Sequence, residues 1–213
     1  RPEVLVDLDL ALHDDDVAAL GHHWSCARVD EKAAGYLTLA GDRASRAFAN
    51  QDALKLYGRA SEHARALGDR GAQWRDALNQ IDERRGDVLE RTGAHASARV
   101  AYESALKRVD AGDRVWRARL HRLSAKTREI EHGHTEAQQD YDAAMTALGE
   151  APPETWRVHE TWGEGIAAPD ESPDAWWREW VQVQVERVLM YYWDADVVAM
   201  TALVERVREA VDR

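Results

Sequence analysis

The chain has 213 residues and a mass of 24.0 kDa, with 45% apolar residues, which suits one folded domain or array and excludes disorder as its main description. Lys and Arg number 28 against 39 Asp and Glu, and the net charge of −11 repels a polyanion, so no nucleic acid is expected as a partner. One cysteine, Cys26, excludes an internal disulfide framework and a cysteine-cluster zinc site.

Residues 1–13 are ambiguous, with Leu5, Leu8, Leu10 and Leu12 compatible with a short helix. The five prolines are Pro2, Pro152, Pro153, Pro169 and Pro173, so 3–151 and 174–213 lack the strongest helix breaker. Apolar periodicity predicts helices over 15–27, 31–49, 51–67, 71–92, 95–110, 113–131, 135–148, 174–193 and 196–211. Gly68, Gly93, Gly112, Gly133 and Gly149 each follow an amphipathic run, where a C-cap is expected. Between 149 and 173 lies the long irregular stretch; its Trp156 and Trp162 argue that it packs down on the protein. The organisation expected is helical repeats over 1–149, a connector over 150–173, and a degenerate helix pair over 174–213.

That C-terminal pair is patterned in its own way. Over 174–193, Trp177, Val181, Val185, Val188 and Tyr192 make one apolar stripe and Trp176, Trp180, Val183 and Met190 a second, so the helix is expected to sit between two neighbours. Over 196–211, Met200, Leu203, Val204, Val207 and Val211 form one stripe opposite charged residues, the pattern of a capping helix. No apolar run approaches the roughly 18–20 residues of a membrane span, and no charged-then-apolar leader is seen, so the expected location is cytoplasmic without membrane contact. The chain opens on Arg1 and ends within a helical pattern, which reads as a piece of a longer protein.

A repeat runs through the helices. Ala53…Tyr57…Ala60, Ala98…Tyr102…Ala105 and Ala137…Tyr141…Ala144 all read Ala-x-x-x-Tyr-x-x-Ala, a spacing that puts the three residues on one helical stripe. Small residues let a neighbouring helix approach, and the tyrosine fills the space between them. Twelve residues before each first alanine stand Gly41, Gly86 and Ala125. The pattern resembles the tetratricopeptide repeat over residues 30–148, with Gly86-Asp-Val-Leu89…Gly93…Ala98…Tyr102…Ala105 the nearest copy. It departs in period, since Ala53 to Ala98 is 45 residues and Ala98 to Ala137 is 39, against about 34 in the standard repeat. It also lacks the closing proline. The run from Tyr36 to Leu54 is similar to the helical-repeat region of bacterial MalT-like regulators and multidomain ATPase–nucleotidyl cyclase signalling proteins. The resemblance implies an all-α fold, an α-α superhelix of antiparallel helix pairs, serving as a sensor or partner-binding arm.

Catalytic motifs are weak. Gly163-Glu-Gly-Ile-Ala-Ala168 matches the G-x-G-x-x-G/A dinucleotide fingerprint, but no strand is predicted before it and Pro169 follows, so it reads as a flexible acidic loop. His22-His23 beside Asp14-Asp15-Asp16, and Glu131-His132-Gly-His134, are the densest possible metal ligands; adjacent helical histidines diverge by about 100°, and no H-E-x-x-H occurs. Cys26 reads as a small core residue. No phosphate loop or G-x-S-x-G elbow is present, so no catalytic residue, cofactor or metal is expected.

Helix-pair arrays bind partners on the first helix of each pair. The outward residues there are Thr38, Asp42, Ser45 and Arg46; Gln80, Glu83, Asp87, Glu90 and Arg91; and Arg119, Arg122, Lys126 and Glu129. Arg119, Arg122 and Lys126 make a basic row suited to an acidic peptide, unless they only answer neighbouring acids. With Glu83, Asp87, Trp176 and Trp180 they form the candidate partner-binding set; for the two tryptophans the alternative is core packing. The expected partner is a protein or peptide, with self-association as the alternative and a helical metal protein or enzyme the third reading. On the groove reading, Arg122→Glu weakens partner capture and leaves thermal stability nearly unchanged.

Overall fold

The computed structural model describes residues 14–152, 154, 161–163 and 165–211. The ambiguous segment 1–13 and Trp156 lie outside the described residues, as does the side chain of Trp162. The helices are α1 Asp14–Cys26, α2 Asp30–Arg46, α3 Asn50–Ala66, α4 Ala72–Arg91, α5 His95–Leu106, α6 Arg114–Ile130, α7 His134–Leu148, α8 Pro173–Trp193 and α9 Val197–Val211. A 3₁₀ turn, Gly68–Arg70, precedes α4, and two short strands, β1 Thr161–Gly163 and β2 Ile166–Ala167, precede α8. The fold is all-α, with helices packed in successive pairs. Among the described residues no helix is long and apolar enough to cross a membrane. Two compact units are present, one from the described residues of Arg1–Val88 and Glu160–Ala168, the other from those of Leu89–His159 and Pro169–Arg213.

One turn is used five times. Arg28, Phe48, Gly93, His132 and Ala195 have φ of 56°, 58°, 81°, 62° and 56°. Each is followed by a residue whose N–H returns to the helix just ended: Val29 to Trp24 O at 3.1 Å, Ala49 to Ala44 O at 2.9 Å, Ala94 to Leu89 O and Gly133 to Arg128 O at 2.8 Å, and Asp196 to Tyr191 O at 2.9 Å. This left-handed cap satisfies orphan carbonyls and reverses the chain within three residues. Only Gly93 takes that conformation without a side-chain penalty. After α6 it is His132, not the expected Gly133, that carries the positive φ.

Counting five residues on from Phe48, Gly93 and His132 gives Ala53, Ala98 and Ala137, so turn and seam form one signature. All nine seam residues are buried. A further copy follows Arg28: Ala33, Leu37 and Ala40 are buried at the same offsets, with leucine in place of tyrosine. The C-terminal pair keeps the turn and loses the seam, since Leu203 is buried while Val204 is half exposed.

In the first unit the ring of Tyr57 packs closely against Gly41, where a Cβ would come within 2.5 Å of Cε1. The Tyr57 hydroxyl donates to Asp42 Oδ1 at 2.7 Å, so the ring cannot easily swing away. Gly41→Ala is therefore expected to lower stability by about 1 kcal/mol net. Crowding a packed site costs about 1–3 kcal/mol, and the helix-propensity gain returns about 1. A lower urea midpoint at unchanged m-value is the check.

The strand pair corrects the reading of 163–168 as a flexible loop. A strand does run into the motif, since β1 ends on Gly163, but it pairs antiparallel with β2 and no helix opens directly after the glycines, so a dinucleotide turn is not formed. Ile166 joins the core of the first unit, among Leu37, Ala77 and Ile81. Gly165, at φ 72°, passes so close to α2 that a Cβ would lie 3.1 Å from Leu39 N and 3.3 Å from Gly35 O.

In the second unit, Val115, Ala118, Ala125, Tyr141 and Leu148 of α6 and α7 pack against Trp176, Trp180, Val183 and Met190 of α8. Glu171, buried ahead of α8, accepts the N–H groups of Val115 at 2.8 Å and Trp116 at 2.9 Å, capping the start of α6. Burial pushes its carboxyl from 4.5 up to about 6, against the pull of those two hydrogen bonds. A folded-state pKa above the unfolded one means that the folded protein holds the proton longer. Stability from this group is thus fully present below pH 4.5 and lost as pH rises through 6. Relative to Glu171→Gln, the wild type is expected to lose on the order of 2 kcal/mol between pH 4.5 and 7. Urea unfolding of both proteins across that range is the check, with the carboxyl ¹³C titration giving the midpoint.

Candidate functional site

The basic row is inside the second unit and already answered. Arg122 donates from Nε to Glu179 Oε1 at 2.6 Å and from Nη1 to Glu186 Oε1 at 2.9 Å, both acids on α8. Arg119 Nε lies 3.6 Å from Glu179 Oε2, and Lys126 Nζ 3.2 Å from Glu90 Oε1. Arg122 is only 12% exposed. Trp176 is buried, its Nε1 donating to Leu148 O at 3.0 Å, and Trp180 is buried beside it. Arg119, Arg122 and the two indoles hold α8 on α6 and α7, while Lys126 ties α6 to α4; this corrects the view of Arg122 and the two indoles as outward anchors, since they have little surface to offer. Glu83, half-buried, and Asp87, exposed, belong to the first unit, so the candidate set is divided between two units.

Polar side chains do converge in the first unit, on the face of α2 and α4 where β1 and β2 sit. Gln80 Nε2 donates to the carbonyl of Ala167. Arg84 Nη1 donates to Gly165 O at 2.9 Å. Arg84 Nε lies 3.4 Å from Asp42 Oδ1, the same oxygen that receives the Tyr57 hydroxyl. The seam tyrosine thus orients Asp42, Asp42 orients Arg84, and Arg84 reads a main-chain carbonyl. Burial and the Asp42 carboxylate both push the Tyr57 phenol up, so it stays a donor. Two side chains gripping main-chain carbonyls recognise extended backbone whatever its side chains. Asp42 and Gln80 stand in the outward sets read from the sequence. Arg84 does not, although its place one turn after Gln80 is the signal that finds it.

A second constellation joins α1, α2 and α3. Ser25 Oγ lies 2.8 Å from His63 Nε2, and His63 Nδ1 lies 2.7 Å from Asp30 Oδ1. The order of groups is that of a hydrolase triad. However, Ala27, Arg28 and Val29 N–H are bound to His23, Ser25 and Trp24 carbonyls, so these amides beside Ser25 cannot receive an oxyanion. The three residues act as a clasp on the hairpin turn. Cys26, next to it, is exposed rather than in the core, with Sγ 3.6 Å from His22 Nε2. Among the described residues no group of three or more His, Cys, Asp or Glu is placed to hold a metal ion.

The C-terminal pair differs from expectation in one respect. Trp176, Trp180, Val183 and Met190 are buried, but most of the other stripe of α8 is not: Trp177, Val181 and Val185 are 40–49% exposed and Tyr192 62%, with Val188 half-buried, and Leu189 beside them is 50% exposed. No protein-family model matches the chain, and no curated protein sequence matches it either.

Proposed function

We propose that the chain is a protein–protein interaction or sensor module that binds an extended peptide segment on the α2/α4 face, as an arm of a larger cytoplasmic bacterial signalling regulator of tetratricopeptide-like build. The observation that supports this reading is the chain's own strand pair seated on that face, held through main-chain carbonyls by Gln80 and Arg84. A partner strand meets the same donors when it displaces the hairpin. Binding of this kind uses no catalytic group and no cofactor.

Panning a random peptide library on the purified chain tests it. Enriched peptides are expected to shift the backbone signals of Gln80, Arg84 and 165–168, and Arg84→Ala is expected to change their affinity by about fivefold or more, the scale of one charged hydrogen bond. No enrichment, or peptides that leave α2 and α4 untouched, overturns it. The exposed stripe of Trp177, Val181, Val185 and Leu189 favours a second reading, self-association through α8. Light scattering at roughly 100 micromolar decides that reading, since a monomer at that concentration excludes even modest self-affinity.

A further inference from the structure

In the second unit a cavity of about 380 Å³ is lined by Glu129, Ile130, His132, His134 and Trp193. It opens at the α6–α7 turn, where the left-handed His132 sends the chain round, and its far wall is the end of α8. The volume falls in the range of small-molecule sites, and the lining combines the aliphatic Ile130, an indole and a few polar groups.

The charges around it are unevenly met. Glu131 has Arg99 at 2.6 Å, Asp140 has Arg128 at 2.7 Å, and Glu186 has Arg122 at 2.9 Å. Asp194 lies 3.2 Å from His134 Nδ1. Among the described residues Glu129 has no such arrangement: its hydrogen bond is from the neutral Tyr141 hydroxyl, to Oε2 at 3.0 Å. Burial pushes its carboxyl up, the Tyr141 bond pulls it down, Glu186 pushes it up again, His134 lowers it and Asp194 raises it, with a net rise. A half-buried carboxylate facing a cavity with no lysine or arginine paired to it among the described residues attracts a cation. Trp193, 71% exposed and packed at 75° to the ring of Tyr192, lines the same cavity, and an indole is the side chain that attracts such a cation best.

We infer that this cavity is a binding site for an organic cation, a guanidinium or ammonium on a short alkyl chain, with Glu129 as its counter-charge and the Trp193 indole as its wall. The cation comes either free or as an arginine or lysine side chain of a partner. The inference concerns the second unit alone and does not depend on the α2/α4 face.

The test is an NMR titration of the whole chain at pH 8 and at low ionic strength. The probes are butylguanidinium, butylammonium, their uncharged analogue butylurea, and an acetylated, amidated arginine tripeptide. Both small cations are expected to shift the backbone signals of 129–134 and the Trp193 indole, and butylurea is not. Glu129→Gln is expected to weaken binding about tenfold or more, and Trp193→Ala about fivefold. The exposed Trp193 position guards against a folding artefact at Glu129. A peptide that binds more tightly than butylguanidinium identifies the source as a partner side chain; equal or weaker binding identifies a free cation. Butylurea binding as well as the cations, a folded Glu129→Gln protein with unchanged affinity, or no shift at tens of millimolar cation overturns the inference. Failure here with success in peptide panning leaves the α2/α4 reading intact, and the reverse result leaves this one intact.

Discussion

Arg122→Ala is expected to destabilise the chain by about 3 kcal/mol, because it leaves the poorly solvated Glu186 without its cation and Glu179 with Arg119 alone, at 3.6 Å. Glu179 and Glu186 are 6% and 13% exposed at the side chain and share this guanidinium. Burial alone would lower the pKa of Arg122, and the two carboxylates more than offset it, holding it above its ordinary value. The sequence reading expected nearly unchanged stability for Arg122→Glu; the structure reverses that, since a third acid would then face the other two. Urea unfolding of Arg122→Ala and of Arg122→Met with Glu179→Gln is the check. The double variant is expected to recover part of the loss, because removing the partner charge removes much of the penalty. A single-variant loss under about 0.5 kcal/mol would show that the pair behaves as a surface ion pair.

Tyr57→Ala, Tyr102→Ala and Tyr141→Ala are each expected to cost about 3–5 kcal/mol, the range for emptying a large buried site. Each ring is enclosed between alanines and lies wholly inside its seam. The phenols of Tyr57 and Tyr141 are also tied to acids, Asp42 and Glu129. Tyr192, 62% exposed, is the control, and Tyr192→Ala is expected to fall within about 0.5 kcal/mol of wild type. Similar losses at the three seams, from one set of denaturation curves, would show that they are equivalent in energy as well as in spacing. A cheap substitution at any one of them would remove that hairpin from the repeat.

Much of the fold was legible because it is local. Proline-free stretches, apolar periodicity and an alanine–tyrosine spacing all act within one helix or one turn, so helix positions follow from them to within a few residues. The α1–α2 copy escaped because Leu37 stands where tyrosine was sought, although Ala33 and Ala40 keep the spacing. The left-handed residues escaped because only one of the five is glycine, and the position is fixed by the closing hydrogen bonds rather than by residue type. The candidate site was less legible. A basic row on a helix looks the same whether it faces solvent or Glu179 and Glu186, which lie 57 and 64 residues from Arg122. In the same way nothing local to the sequence around Gly165 and Ala167 announces that α4 will hold them by their carbonyls.

One hairpin geometry is reused along the chain and organises the fold. Backbone chemical shifts and ³J(HN–Hα) couplings at Arg28, Phe48, His132 and Ala195 test this most directly. Positive φ at all four is the predicted result; ordinary right-handed helical or extended values at these positions would contradict it.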